Sequence, residues 1–321
     1  MRKVTATRLA PSPTGALHLG NARTFLINYA LARRNGWRVL MRMEDLDGPR
    51  VKPEAVRQGL EVCSWLGMTW ETPIIYQSDR HGLYERALSQ LIERRLAYPC
   101  RCTRKDIELA GGAPHDEDHI TVYPGTCRPA DPAEVPPPPD DGADIAWRVK
   151  VTDEPIRFTD AFAGEQEFVL SRTCGDFVIF RKQGLAAYQL AVVVDDAQAG
   201  VDAIVRGDDL LESAARQIYL RRLMGYEGEV QWTHLPLVLG PDGRRLAKRH
   251  GDTRLVSYRD AGVSAERVIG LVASWCGISE KPEEMDIDTF VERFDLAALP
   301  TDPVTFTAED DAFLCEGQVN V

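Results

Sequence analysis

The chain lacks an apolar run long enough to cross a membrane. Its longest, residues 185–194, is interrupted by Gln189 and closed by Asp195, short of the about 20 residues a span requires, so no membrane partner is expected. A signal-peptide core is missing as well: residues 1–8 are mostly polar and run straight into a Pro/Gly loop, which makes the cytoplasm the expected compartment. The seven cysteines, an odd number, supply no extracellular disulfide framework. Internal repeats are absent, and a composition of 44% hydrophobic and 27% charged residues excludes wholesale disorder, collagen and coiled coil. A length of 321 residues sets a prior of about two domains.

Net positive charge is lacking as well, since 49 acidic residues outnumber 38 basic ones. A net charge of −11 disfavours a large sequence-independent RNA footprint, which rewards clustered Lys and Arg. The deficit is local, however. Residues 280–321 hold two basic residues (Lys281, Arg293) against twelve acidic ones, a net of −10, so the rest is near neutral and can carry a local basic face. As a solvated surface, the acidic tail favours solubility.

What is present is an alternation of strands and helices. Residues 4–9 read as a strand stopped by Pro11-Ser12-Pro13-Thr14-Gly15; Ala22, Phe25, Leu26, Tyr29, Ala30 and Arg33 then fall at helical spacing, with Asn35-Gly36 as the stop. Residues 37–43 form a second strand, Pro53 opens a helix, and Tyr84, Ala87, Leu88, Leu91 and Ile92 mark a third. This rhythm predicts a parallel sheet with crossovers. It breaks at Pro99, where a cysteine-bearing, Pro-rich segment and the β-type stretches 145–151, 156–162 and 177–180 intervene. It resumes with 189–194, 203–205 and a helix over 211–224, before a helical stretch around 268–276 and the acidic tail. One parallel-sheet domain is thus split by an inserted unit.

Three constellations carry chemistry. In Pro11 to Asn21, Gly15 and Gly20 allow close backbone approach, the following helix offers unpaired N–H groups to an anion, and His18 is placed to donate to a phosphate oxygen. The cationic string Gly243-Arg244-Arg245-Leu246-Ala247-Lys248-Arg249-His250-Gly251-Asp252 alone is a solvated basic loop; paired with the first string it suggests a mobile phosphate clamp. Cys100, Cys102 and Cys127 offer three thiolates, which one more oxygen or nitrogen completes into a structural zinc shell, with His115 or His119 the conventional fourth ligand.

With Arg42-Met43-Glu44-Asp45-Leu46-Asp47, Asp195-Asp196 and Arg206-Gly207-Asp208-Asp209-Leu210-Leu211, these strings resemble the class I glutamyl-tRNA synthetases. His18-Leu19-Gly20-Asn21 is similar to the His-Ile-Gly-His signature and Arg245-Leu246-Ala247-Lys248-Arg249 to the Lys-Met-Ser-Lys-Ser loop. Asn21 stands for the second signature His, Arg245 for the first loop Lys and Ala247 for the loop Ser. Only about seventy residues follow the second signature, and they are acidic, so the chain resembles the truncated paralogues of that family, the glutamyl-Q tRNA(Asp) synthetases.

The resemblance implies a Rossmann-type α/β catalytic domain in two halves, 1–99 and 188–240, split by a zinc-bearing α+β unit, 100–187, and followed by a signature loop and mostly helical region, 241–321. It implies a monomeric, class I ligase that activates L-glutamate with ATP and Mg2+ without tRNA, then transfers it to queuosine at the wobble position of tRNA(Asp). His18 and Lys248 are the implied catalytic residues, and His18, Gly20, Asn21 and Lys248 the ATP site. Arg8, Leu9, Ala10, Pro11, Ser12, Glu44, Tyr188 and Arg206 form the implied glutamate pocket, and Cys100, Cys102, Tyr123 and Cys127 the zinc ligands, with Tyr123 competing against His115 and His119. A glutamyl-tRNA synthetase acting on a tRNA 3′ end and a noncatalytic glutamate- or RNA-binding paralogue are the alternatives.

Overall fold

The structure, a computed structural model, describes residues 5–46, 51–103, 105–107, 122–131, 134, 145–244, 246 and 252–316. The chain begins with β1 (Ala6–Leu9), buried along its whole length, and crosses through α1 (Leu19–Asn35) to β2 (Arg38–Met43) and through α2 (Pro53–Trp65) to β3 (Glu71–Tyr76). These strands form a parallel ladder in the order β1-β2-β3, with Ala6 opposite Arg38 and Leu9 opposite Met41. Gly36 ends α1 at a left-handed φ of 67°, a conformation without penalty only for glycine. Pro53 takes the first turn of α2, where an N–H would have no helical partner. Strand β3 contains Pro73 and lies at the ladder's edge, the place where a sheet tolerates a missing donor.

Helix α3 (His81–Glu93) leads into β4 (Ala97–Cys100) and β5 (Ala146–Val149), followed by the hairpin β6 (Ile156–Asp160) and β7 (Gly164–Phe168), a single-turn α4 (Leu170–Thr173) and β8 (Val178–Phe180). Strands β4, β5 and β8 make an antiparallel sheet of their own. Next come α5 (Tyr188–Ala199), β9 (Ala203–Gly207), α6 (Leu211–Met224) and β10 (Gln231–Leu235). The second ladder runs β7-β6-β10-β9, parallel between β9, β10 and β6. The span 100–187 therefore contributes to two sheets.

The apolar run 189–194 is helical despite its three consecutive valines. Every residue from Gln189 to Asp196 in α5 is buried, and a helix enclosed on all sides loses the periodic pattern that distinguishes it from a buried strand. Strands β1 and β9 lie side by side. The Asp202 N–H donates to Ala6 O, and Asp202 Oδ1 accepts from the Thr5 and Ala6 N–H groups at 2.8 and 2.9 Å. The spatial order is thus β3-β2-β1-β9-β10, whose reversal of winding between β1 and β9 opens a crevice at the carboxyl ends of the strands.

Beyond β11 (Val238–Leu239) come α7 (Leu255–Asp260), α8 (Ala265–Trp275), α9 (Ile287–Arg293), β12 (Val304–Thr305), which pairs with β11, and α10 (Ala308–Cys315). The acidic segment is more than a solvated surface. Its Met285, Phe290, Phe294, Leu299, Phe306 and Leu314 are buried in the same core as Leu26, Ile27 and Leu271. Several of its acids begin helices: Asp286 Oδ1 accepts the Thr289 N–H at 2.8 Å, and Thr307 with Asp310 forms a reciprocal cap on α10. Among the described residues no helix is long and apolar enough to cross a membrane.

Candidate active site

The crevice between β1 and β9 is a cleft of about 510 Å3, whose lining includes Arg8, Ala10, Pro11, Ser12, His18, Gly20, Asn21, Glu44, Tyr188, Arg206 and Asp209. Leu9 is not on its wall; the side chain is buried in the core beneath. Lys248, Arg245 and Ala247 lie outside the described residues.

His18 is the N-cap of α1. Its Nδ1 accepts the Gly20 N–H at 3.1 Å, while its own N–H donates to Asn21 Oδ1 at 2.9 Å. An Nδ1 that accepts leaves the neutral ring's proton on Nε2. The expectation of unpaired N–H groups at this helix end is not met. Leu19 N–H donates to Thr253 O, Gly20 N–H to His18 Nδ1, and Asn21 and Ala22 N–H to His18 O. The sequence caps its own helix, so an anion here gains the helix dipole and an imidazole rather than open amides. Gly20 makes the cap possible, since a Cβ there would stand 3.0 Å from His18 Cε1.

Arginines and carboxylates pack against one another at the cleft and directly behind it. Asp196 takes the Arg42 guanidinium and lies 3.6 Å from Arg8 Nε, and Arg42 Nη2 reaches Glu44 at 3.0 Å. Burial works against the Arg42 charge, but Asp196, Glu44 and Asp195 outweigh it and raise its pKa further. Asp195 turns to other partners: Arg80 Nε at 2.7 Å, Gln77 Nε2 at 2.8 Å and the Tyr84 hydroxyl at 2.9 Å. The adjacent acids thus tie α5 to α3 and to β1 and β2 together. Tyr188 remains 36% exposed, open to the cleft. Its phenol pKa is raised by loss of solvent and then by Glu44, with Arg206 and Arg8 opposing.

Arg206, at the end of β9, is 5% exposed. Its Nε donates to His234 Nε2 at 3.0 Å, its Nη1 to Gln217 Oε1 at 3.0 Å and its Nη2 to Leu210 O at 3.2 Å, with the guanidinium 5.3 Å above the Trp232 ring. Burial lowers its pKa, Tyr188 opposing. Arg8 on β1, Glu44 just beyond β2, Tyr188 at the start of α5 and Arg206 on β9 are far apart in sequence, yet the fold brings them to one cavity.

A second cluster lies outside the cleft. The sulfurs of Cys100, Cys102 and Cys127 fall within 4.8 Å of one another. Tyr123 Oη is 3.5 Å from Cys100 Sγ and 3.9 Å from Cys102 Sγ, and Cys102 and Cys127 are 3.5 Å apart. A tetrahedron with metal–sulfur bonds of about 2.3 Å has edges of about 3.8 Å, so these four donors fit one zinc ion. Burial and a hydrogen bond with Cys127 push the Cys102 thiol up to about 11, and burial with Cys100 raises Tyr123. Burial opposes ionisation of Cys127 too, but hydrogen bonds from Arg101 and Tyr123 bring it down. The Arg148 guanidinium stacks 3.7 Å from the Tyr123 ring centre and its Nε donates to Cys100 Sγ at 3.3 Å, a cation beside the sulfur cluster. His115 and His119 lie outside the described residues.

A model of the catalytic domain of the class I tRNA synthetases (E and Q) matches residues 3–310. The chain belongs to this family. It is 44% identical over 319 residues to the glutamyl-Q tRNA(Asp) synthetase of Symbiobacterium thermophilum, covering 97% of this chain and 98% of that one. The glutamyl-Q tRNA(Asp) synthetase of Rhodopirellula baltica is 43% identical over 330 residues, with the same coverage. Among solved structures, the glutamate tRNA ligase of Elizabethkingia meningosepticum in complex with its amino acid is similar over 98% of this chain and 69% of that one, with a TM-score of 0.79 and 25% identity. The fold is accordingly that of a class I synthetase, with mixed α/β content and a parallel sheet.

In this class I synthetase the residues that sequence reasoning passed over are those behind the cleft wall. Arg42 and Asp195-Asp196 appear only within matched strings, while His234, Asp160 and Gln217 carry no motif at all. A buried His with a carboxylate 2.6 Å away is recognisable only once the strands are paired.

Proposed function

We propose that this chain condenses L-glutamate with ATP to glutamyl-adenylate without tRNA, and then esterifies queuosine at the wobble position of tRNA(Asp). The observation that carries the reading is the convergence of Arg8, Glu44, Tyr188 and Arg206 on a single cleft beside His18. Two guanidiniums suit a substrate with two carboxylates: Arg8 with Tyr188 reads the side-chain carboxylate, and Arg206 lies nearer the α-carboxylate. Glu44 accepts the α-ammonium, and Ser12 with the backbone of residues 9–11 closes the pocket.

The glutamate α-carboxylate is already a nucleophile at neutral pH. One of its oxygens bonds to the ATP α-phosphorus as the bond to the bridging oxygen of pyrophosphate breaks, and no proton is moved. Catalysis therefore reduces to positioning and charge stabilisation. His18 donates from Nε2 to a phosphate oxygen, supported by the dipole of α1, and Gly20 and Asn21 hold that ring in place. Lys248 follows the leaving pyrophosphate, and Mg2+ bound with ATP neutralises phosphate charge. Cys100, Cys102, Tyr123 and Cys127 hold one structural zinc in the unit spanning 100–187, between the catalytic halves 1–99 and 188–240. A monomer acting in the cytoplasm completes the reading.

Glutamate-dependent ATP–pyrophosphate exchange in the absence of tRNA tests the first step. Transfer of labelled glutamate to tRNA(Asp) with and without queuosine tests the second. Exchange without any transfer to the queuosine-bearing tRNA, or equal transfer to the 3′ end of other tRNAs, overturns the acceptor assignment. Absence of exchange overturns the activity.

A further inference from the structure

Arg206 is held by a chain of side chains, Asp160, His234, Gln217, Gln189 and Ser213, that are not among the residues lining the cleft. Asp160 is buried, and its Oδ1 accepts the backbone N–H groups of Phe162 at 3.0 Å, Ala163 at 2.8 Å and His234 at 3.1 Å. A carboxylate with three such donors stays ionised and can only accept. Its Oδ2 stands 2.6 Å from His234 Nδ1, so the ring proton is on Nδ1. His234 Nε2 is then an acceptor, and it takes the Arg206 Nε–H at 3.0 Å. Gln217 Oε1 takes a proton of Nη1, and Gln217 is fixed in turn by Gln189 at 2.8 Å and Gln189 by Ser213 at 2.9 Å.

The three inward-facing donors of the guanidinium are thus consumed by the scaffold. The remaining N–H on each Nη supplies the fork that Arg206, which lines the cleft and hydrogen-bonds Tyr188 there, can offer a carboxylate. We infer that His234, with its tautomer set by Asp160, is a positioning residue for glutamate recognition: it fixes the plane and rotation in which Arg206 presents that fork to the substrate carboxylate. The inference rests on the reading of Arg206 as a carboxylate reader.

The tautomer is the element that separates positioning from simple packing. In Asp160→Asn the amide Oδ1 still accepts the three backbone N–H groups, but the amide nitrogen donates to His234 Nδ1. The ring proton must then move to Nε2, where it meets the Arg206 Nε–H donor to donor. In His234→Gln an amide oxygen takes the place of Nε2 and accepts from Arg206 whatever stands at 160.

The test is a cycle of Asp160→Asn, His234→Gln and the double variant in glutamate-dependent ATP–pyrophosphate exchange, with thermal melting to confirm folding. Asp160→Asn should raise the glutamate KM on the order of tenfold, the loss of one charge-assisted contact, with the ATP KM unchanged within about twofold. His234→Gln should retain most of the glutamate affinity. In the His234→Gln background, Asp160→Asn should add nothing to the glutamate KM, a non-additivity that a merely structural role does not produce. Equal effects of Asp160→Asn in both backgrounds, or a lowered melting temperature with unchanged glutamate KM, overturn the inference. Arg206→Gln separates it from the underlying reading: if that variant leaves the glutamate KM unchanged, Arg206 is not the reader and both fall.

Discussion

His18 and Arg254 pair across an isolated antiparallel bridge. Leu19 N–H donates to Thr253 O at 3.2 Å and Leu255 N–H to Leu17 O at 2.9 Å, so the segment after the second signature is pinned to the first. On the other side, Leu246 N–H donates to Val238 O at 3.0 Å, and Val238 lines the cleft. Leu246 on one side of Lys248 and Thr253 to Leu255 on the other are therefore tied by backbone hydrogen bonds to Val238 and to the start of α1. Two distant stretches of sequence become neighbours through backbone hydrogen bonds alone.

That anchoring makes the basic loop testable as catalytic machinery. If Lys248 follows the leaving pyrophosphate as proposed, Lys248→Ala should depress the rate of adenylate formation about a hundredfold while the glutamate affinity stays nearly constant. Arg244→Ala, exposed at the preceding turn, is the control and should be nearly silent. Pre-steady-state adenylate formation decides it; equal, small effects return the loop to a solvated surface.

The cap on α1 leads to a steric prediction. Gly20→Ala places a methyl 3.0 Å from His18 Cε1 and 3.1 Å from Nδ1, tighter than an ordinary contact, so the ring must shift by a few tenths of an ångström. A displacement of about 1 Å at a reacting group costs up to about a hundredfold in rate, and a few tenths of an ångström correspondingly less. Adenylate formation should therefore fall by about three- to fivefold, while alanine's better helix propensity keeps the melting temperature close to wild type. Undiminished single-turnover rates would show that the ring's position is not used.

The cysteine cluster should carry about one zinc per chain by elemental analysis, and Arg148→Met should weaken it. With Arg148 gone, Cys100 loses its donor and Tyr123 the cation against its ring, a change that typically costs about 10- to 100-fold in metal affinity. Chelator competition measures it directly. Unaltered affinity in Arg148→Met would reduce that residue to packing, and zinc-free protein would remove the site.

The buried Asp160–His234 pair predicts how stability varies with pH. Burial lowers the His234 pKa more than Asp160 raises it. Burial works against ionised Asp160, but the His234 ring and the backbone N–H groups of Ala163, His234 and Phe162 bring its pKa down. Below about 6.5 an unfolded chain binds a proton that native His234 refuses, so stability falls as pH drops, by up to about 1.4 kcal/mol per unit. Asp160 adds a second loss only as pH falls through its depressed value, below about 3.9. Melting temperatures from pH 7 to pH 5 should decline less steeply in His234→Gln than in wild type; parallel curves would contradict this account.

Much of the site was legible in the chain itself. The turn residues Pro11 to Gly15, the stop at Gly36 and the start at Pro53 use local chemistry, and each ends or begins an element where expected. The three thiols gather as their spacing suggests. Less legible was the run 189–194, because a helix buried on every side shows no periodicity. The helix end read as an open anion site was closed by its own His18, a competition between ligand and cap that spacing cannot reveal.

The sequence by itself determined the alternation of strand and helix, the punctuation of those elements and the inventory of charged, thiol and imidazole groups, since these follow from residue type and local spacing. Tertiary structure decided the partners. Asp195 turned to Arg80 and Tyr84 while its neighbour Asp196 turned to Arg42, and Asp160 and His234 met behind Arg206 only because β6 pairs with β10. Burial makes these choices consequential: a charge or imidazole removed from water must find a partner, and only the packed chain determines which one is within reach.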